Sequence, residues 1–202
     1  MAGTAQASDI DYLRQLAESG AHAPLLSGRF LAWWGFMVAL AYAGEHFTLN
    51  GAIRGGNSSV GMIWMGFMIV GGGGQLLLAR GMRSKAGAGS AGNRASGVVW
   101  ITGVFSIISA VIGSAIATSR GAGVTTFDCT VPVAFAAYAA ALIVTGSLAK
   151  NRIALAAGAG AVLMVGLFTA MIASPDRYLL ASAGVALTVF LPGLLMLRAE
   201  PR

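Results

Sequence analysis

Charge is scarce in this sequence. Of its 202 residues only 10% are charged, 13 Lys or Arg and 7 Asp or Glu. A water-soluble domain carries about 25%, so this chain cannot cover a globule with a charged surface. Cysteine is reduced to one residue, Cys129, which excludes an intrachain disulfide framework. The two histidines, His22 and His46, are far apart and fall on opposite sides of any membrane the chain crosses. With no C-x-x-C or H-x-x-x-H spacing, no metal or other cofactor is expected. The sequence also lacks a Ser–His–acid set and a phosphate loop with its lysine. Nothing in it therefore points to an enzyme.

Apolar residues are abundant: 56% of the chain is hydrophobic, and the mean hydropathy is +0.76. A membrane helix needs roughly 20 apolar residues to cross about 30 Å of hydrocarbon. Six runs of that length occur, at 30–49, 60–79, 97–118, 130–149, 153–173 and 178–197. Helices are the reading that pairs every backbone group in lipid. The runs do not alternate as barrel strands would. The fold class is all-α: six transmembrane helices in three hairpins, with a cytosolic segment at 1–29, a membrane domain at 30–197 and a tail at 198–202. Residues 1–28 hold Asp9, Asp11 and Glu18 and read poorly as a signal peptide.

The net charge of +6 does not imply nucleic-acid binding, because the basic residues lie between apolar runs and are not gathered on one face. They set orientation instead. Ten (Arg14, Arg29, Arg80, Arg83, Lys85, Arg94, Lys150, Arg152, Arg198, Arg202) fall on one side. Three (Arg54, Arg120, Arg177) fall on the other, so both termini are expected in the cytoplasm of a bacterial inner membrane. Trp33, Trp34, Trp100 and Tyr178 lie near span ends and read as interfacial aromatics. The 87–92 segment fits G-x-G-x-x-G, but it sits in a basic loop with no strand before it and reads as a flexible linker.

Lipid tails are as apolar as Leu, so helix docking must come from close packing and interhelical hydrogen bonds. Four-residue spacing places Ser106, Ala110, Ser114 and Thr118 on one face, and likewise Ala136 with Ala140 and Ala156 with Gly160. The run Gly71, Gly72, Gly73, Gly74 offers either tight packing or a helix break that exposes carbonyls to a substrate or ion. Gln75 beside it would hydrogen-bond a neighbouring helix or line a path. Pro192 is expected to kink the last span.

Glu45 is the one formal charge inside a run, and intramembrane ionisable groups are candidate sites. It lies about 6 Å from the span's end at helical rise. It is either an anchor, with Arg54 or Arg120 as partner, or an ion site. His46 follows it, about 100° further around the helix. Asp128 reads as a solvated helix-start residue favourable to the helix dipole.

Before the membrane domain, 8–19 forms an amphipathic helix with Ile10, Leu13 and Leu16 along one face. Its polar face is acidic, unlike a membrane-surface helix. It should dock on the chain's own basic loops or on a protein. The expected partners are the lipid bilayer and a protein partner or second copy. The expected role is an integral membrane scaffold or accessory subunit. The alternative is a small secondary transporter or channel using Glu45, His46, Gly71–Gly74 and Gln75.

Overall fold

The computed structural model describes residues 28–80 and 90–199. All its regular structure is helical. Helix α1 is Gly28–Leu49, α2 is Gly56–Arg80 and α3 is Ala91–Ser119. A 3₁₀ turn, Val124–Cys129, leads into α4, Thr130–Leu148, and then α5, Arg152–Ala170. The last rod is α6 (Arg177–Val185), a π-helical turn (Ala186–Phe190) and α7 (Leu191–Ala199). The expected helix at 8–19, with Ile10, Leu13 and Leu16, lies outside the described residues.

Local chemistry sets the ends. The Ser90 hydroxyl accepts from the Asn93 backbone N–H at 3.2 Å and starts α3. The helix thus begins at Ala91, inside the 87–92 segment read as a flexible linker and ahead of the span expected from residue 97. The Asn151 side chain accepts from the N–H groups of Ile153 and Ala154 at 2.9 and 3.1 Å and starts α5. The α4–α5 turn is tight enough to put Lys150 at φ 52°, a left-handed conformation unusual outside glycine.

Five helical stretches are long and apolar enough to cross a membrane: Ser58–Arg80, Gly92–Ser119, Val124–Leu148, Arg152–Ala170 and Arg177–Arg198. The first expected span forms α1 but is not among these five. Together with the apolar exterior below, they make this a multi-pass integral membrane architecture.

The principal contacts run in series, α2 on α1, α1 on the α6–α7 rod, that rod on α5, α5 on α4 and α4 on α3. The core lies between α1, α4, α5 and the rod. Leu31, Val38, Phe135, Leu142, Ala154, Ala161, Phe168 and Val185 fill it. Helices α2 and α3 end the series and turn large apolar side chains outward, among them Met65, Ile69, Phe105 and Ile112.

Two interfaces depend on the absence of a side chain. A Cβ on Gly35 would lie 2.5 Å from the Phe190 nitrogen, and one on Gly193 would run into the backbone of Leu31 and Ala32, so α1 and the rod meet backbone to backbone. A Cβ on Gly158 would lie 2.6 Å from Ile143 Cγ1, and one on Gly146 2.9 Å from the Leu155 nitrogen, which brings α4 and α5 together in the same way. Small residues do hold the bundle, but the face differs from the expected one. Ala136, Ala140 and Ala156 are exposed, whereas Ala139, Ala154, Ala157, Gly158 and Ala161 are buried. Four-residue spacing identifies a face without saying which neighbour it meets.

Candidate functional site

The buried ionisable groups gather at one end of the bundle, where the loops around 50–55, 120–129 and 171–176 lie. The 3₁₀ turn brings Asp128 inward just before α4, and only 3% of the residue is exposed. Arg177, the first residue of α6, places its Nε 3.2 Å from Asp128 Oδ1. The Tyr178 hydroxyl donates to the same oxygen. The Arg177 guanidinium lies 4.8 Å from the centre of the Tyr178 ring, and its Nη1 donates to the Ser174 carbonyl at 3.1 Å. Two neighbouring residues of α6 thus hold a carboxylate contributed from about 50 positions upstream.

Glu45 reaches this cluster from α1 and is 7% exposed. Its Oε2 accepts from the Trp64 indole N–H of α2 at 2.9 Å. The Tyr178 hydroxyl lies beside the same carboxyl group. Tyr42, one turn earlier on α1, stacks on Tyr178 with ring centres 6.1 Å apart and meets Trp64 edge-on at 5.2 Å. His46 turns away from Glu45. Asn50 Nδ2 donates to its Nδ1 at 3.0 Å, and its Nε2 lies 4.0 Å from Asp176, whose side chain is largely exposed. Glu45 and His46, though consecutive, serve different neighbours.

Several expectations change here. Asp128 is not a solvated helix start but a buried member of an ion pair. Glu45 is met by Trp64 and Tyr178, and Arg54 and Arg120 take no part in its contacts. Neither change could be read from spacing, because the partners lie on different helices.

The glycine run sits toward the opposite end. Helix α2 continues unbroken through Gly71–Gly74. A Cβ on Gly71 would lie 2.7 Å from the Trp34 ring, and one on Gly74 would fall within the Trp33 indole. Gly72 and Gly73 meet nothing within 4 Å. The Trp33 N–H donates to the Gly71 carbonyl at 3.0 Å, and the Trp34 N–H donates to Gln75 Oε1 at 2.8 Å. The glycines thus seat two indoles of α1, with Gln75 as the polar partner of one. Trp33, Trp34 and Tyr178, expected as interfacial aromatics, are instead used between helices. Their donors supply the signal that was missed: an indole on an interior face needs an acceptor.

Between these two regions the interior is apolar. The buried polar exceptions away from the Asp128 end are mostly self-contained, such as Ser96 with Thr145 at 3.0 Å and Thr188 donating to its own helix at Gly184. A shallow groove of about 370 Å³ on the α3–α4 face is lined chiefly by small residues, including Thr102, Gly103, Ser106, Ala136 and Ala140. Both hydroxyls there bond back to their own helix. Among the described residues no three His, Cys, Asp or Glu side chains converge as a metal site. Compared with known families, curated proteins and solved structures, the chain matches none.

Proposed function

We propose that the protein is a non-catalytic integral membrane scaffold or accessory subunit. The supporting observation is the apolar interior. The buried ionisable groups of the described residues (Glu45, His46 and Asp128) are confined to one end, and Ala, Leu, Phe and Val fill the core beyond them. A conducting or transporting bundle needs a polar path through the hydrocarbon. Among the described residues the buried side chains beyond that end are mainly apolar, and Gly72 and Gly73 of the Gly71–Gly74 run face open space. The proposed orientation puts both termini in the cytoplasm of a bacterial inner membrane and the Asp128 end outside, on the ten-to-three distribution of basic residues.

In this reading the bundle offers lipid and protein the apolar faces of α2 and α3, while Ile10, Leu13 and Leu16 dock on a partner or on the chain's own cytoplasmic loops. The test pairs reconstitution with truncation. Proteoliposomes should show no proton or cation flux above empty vesicles. Deleting residues 1–20 should remove a stoichiometric partner or lower the melting temperature. A gradient-driven flux that Glu45→Gln abolishes, with the fold intact, would replace this reading with the alternative, a small secondary transporter.

A further inference from the structure

The groove on the α3–α4 face follows from how those two helices meet. Ser96 and Thr145 share a hydrogen bond at 3.0 Å, and a Cβ on Gly103 would lie 3.2 Å from the Ala137 Cβ. The helices are therefore antiparallel, and the start of α3 lies level with the end of α4. Deeper along the pair both surfaces are cut back to small side chains: Thr102, Gly103 and Ser106 on α3, Ala136 and Ala140 on α4. About 370 Å³ is left open on the side of the bundle, with Val98 the wall residue nearest the start of α3. The Thr102 and Ser106 hydroxyls donate to carbonyls of their own helix at 2.9 and 3.0 Å. Their protons are used, so the groove suits hydrocarbon rather than a polar solute.

At its mouth the chemistry changes. Arg94 lies one helical turn before Val98. Lys150 and Arg152 flank Asn151 in the α4–α5 turn, level with the start of α3. All three cations are exposed. The carboxylates of the described residues, Glu45, Asp128 and Asp176, all lie at the opposite end of the bundle. Twelve residues separate Arg94 from Ser106, about 18 Å at helical rise. One leaflet of a bilayer has about 15 Å of hydrocarbon, so mouth and groove together match the reach of one lipid.

We propose that the α3–α4 groove and its cationic mouth bind one anionic phospholipid of the surrounding bilayer. An acyl chain lies along the groove, and the phosphate meets Arg94, Lys150 and Arg152. A free anion would satisfy the cations and leave the groove bare. An apolar helix from another molecule would fill the groove and leave the cations without a counter-charge. A lipid of net negative charge does both, which is how basic pockets between membrane helices recognise such headgroups. The site rests on the membrane architecture and not on the scaffold reading, because a transporter could equally carry it.

Photocrosslinking tests this on the full-length protein in mild detergent. The probes are phosphatidylglycerol and the phosphatidylcholine with the same chains, each with a photoreactive group on one acyl chain. Labelled peptides are mapped by mass spectrometry. Phosphatidylglycerol should label 98–106 and 133–140 at concentrations about tenfold lower than phosphatidylcholine. Arg94→Gln, Lys150→Gln and Arg152→Gln together should remove that preference. Ala136→Leu with Ala140→Leu fills the groove, leaves every charge in place and should remove the labelling. Arg198→Gln, at the same end but on α7, should change neither. Equal labelling of the wild-type protein by the two lipids overturns the proposal, as does labelling spread evenly over the outer helices, and neither result depends on a variant folding. A preference that survives loss of the three cations also overturns it. So does a preference lost equally with Arg198→Gln, which would reduce the mouth to general surface charge. A lipid-free dimer held through 98–106 and 133–140 would seat a second copy in the groove and overturn it as well.

Discussion

Asp128 shows how much one side chain holds. It is the acceptor for both Arg177 and Tyr178, so its removal leaves the guanidinium without its carboxylate and the phenol without its acceptor. Breaking a buried ion pair from one side costs about 3–5 kcal/mol. Asp128→Ala should lower the melting temperature of the purified protein far more than Asp176→Ala, whose carboxylate is exposed and 4.0 Å from His46. Equal effects would mean that the Arg177 pair contributes no more than a surface contact. The glycine run gives a second comparison within four residues. Gly72→Ala or Gly73→Ala adds a methyl where nothing lies within 4 Å and gains up to about 1 kcal/mol of helix propensity. Gly74→Ala drives a methyl into the Trp33 indole and should cost about 1–3 kcal/mol by overpacking. Melting curves of the three single variants should therefore move in opposite directions.

At the scale of elements, the last rod resolves a conflict at Pro192. Proline has no N–H, and its ring would clash with the carbonyl four residues back, Thr188. The π-helical turn at Ala186–Phe190 lies immediately upstream, where widening the helix relieves that contact. The bulge lies just upstream of the proline expected to kink the span, and the rod still seats Gly193 against the α1 backbone. Gly193→Val should separate α7 from α1 and lower the melting temperature, while Gly166→Val on α5, with nothing within 4 Å of its Cβ, should not. How legible the fold was also divides by element. The spans at 153–173 and 178–197 nearly coincide with α5 and the α6–α7 rod, because a run long enough to cross a bilayer declares itself by composition. The site was legible in only one member. Glu45 stands out as a charge in an apolar run, but Asp128, Arg177 and Tyr178 each have an adequate local explanation as cap, topogenic charge and interfacial ring. Their partnership arises from packing between chain segments some 50 residues apart, which leaves no periodic trace in the sequence.

For the whole molecule, apolarity and burial part company. Helix α1, a long helix that is not among the five stretches apolar enough to cross a membrane, is a central one. It carries Trp33, Trp34 and Glu45, whose polar atoms bind α2. The peripheral α2 and α3 are among the spans long and apolar enough to cross a membrane, with their large side chains turned outward. That inversion is expected where the solvent is hydrocarbon. The orientation can be read with the native cysteine. Cys129 adjoins Asp128 and is exposed, and as the only cysteine in the chain it needs no background removed. In the proposed orientation, which rests on ten basic residues against three, this end is outside, so a membrane-impermeant maleimide should label Cys129 in intact cells, and Cys129→Ser should abolish the signal. If lipid headgroups shield the thiol, moving it to the exposed Val124 in a Cys129→Ser background restores access. Labelling that appears only after the membrane is opened would place the Glu45–Asp128 cluster on the cytoplasmic side and reverse the orientation of every span.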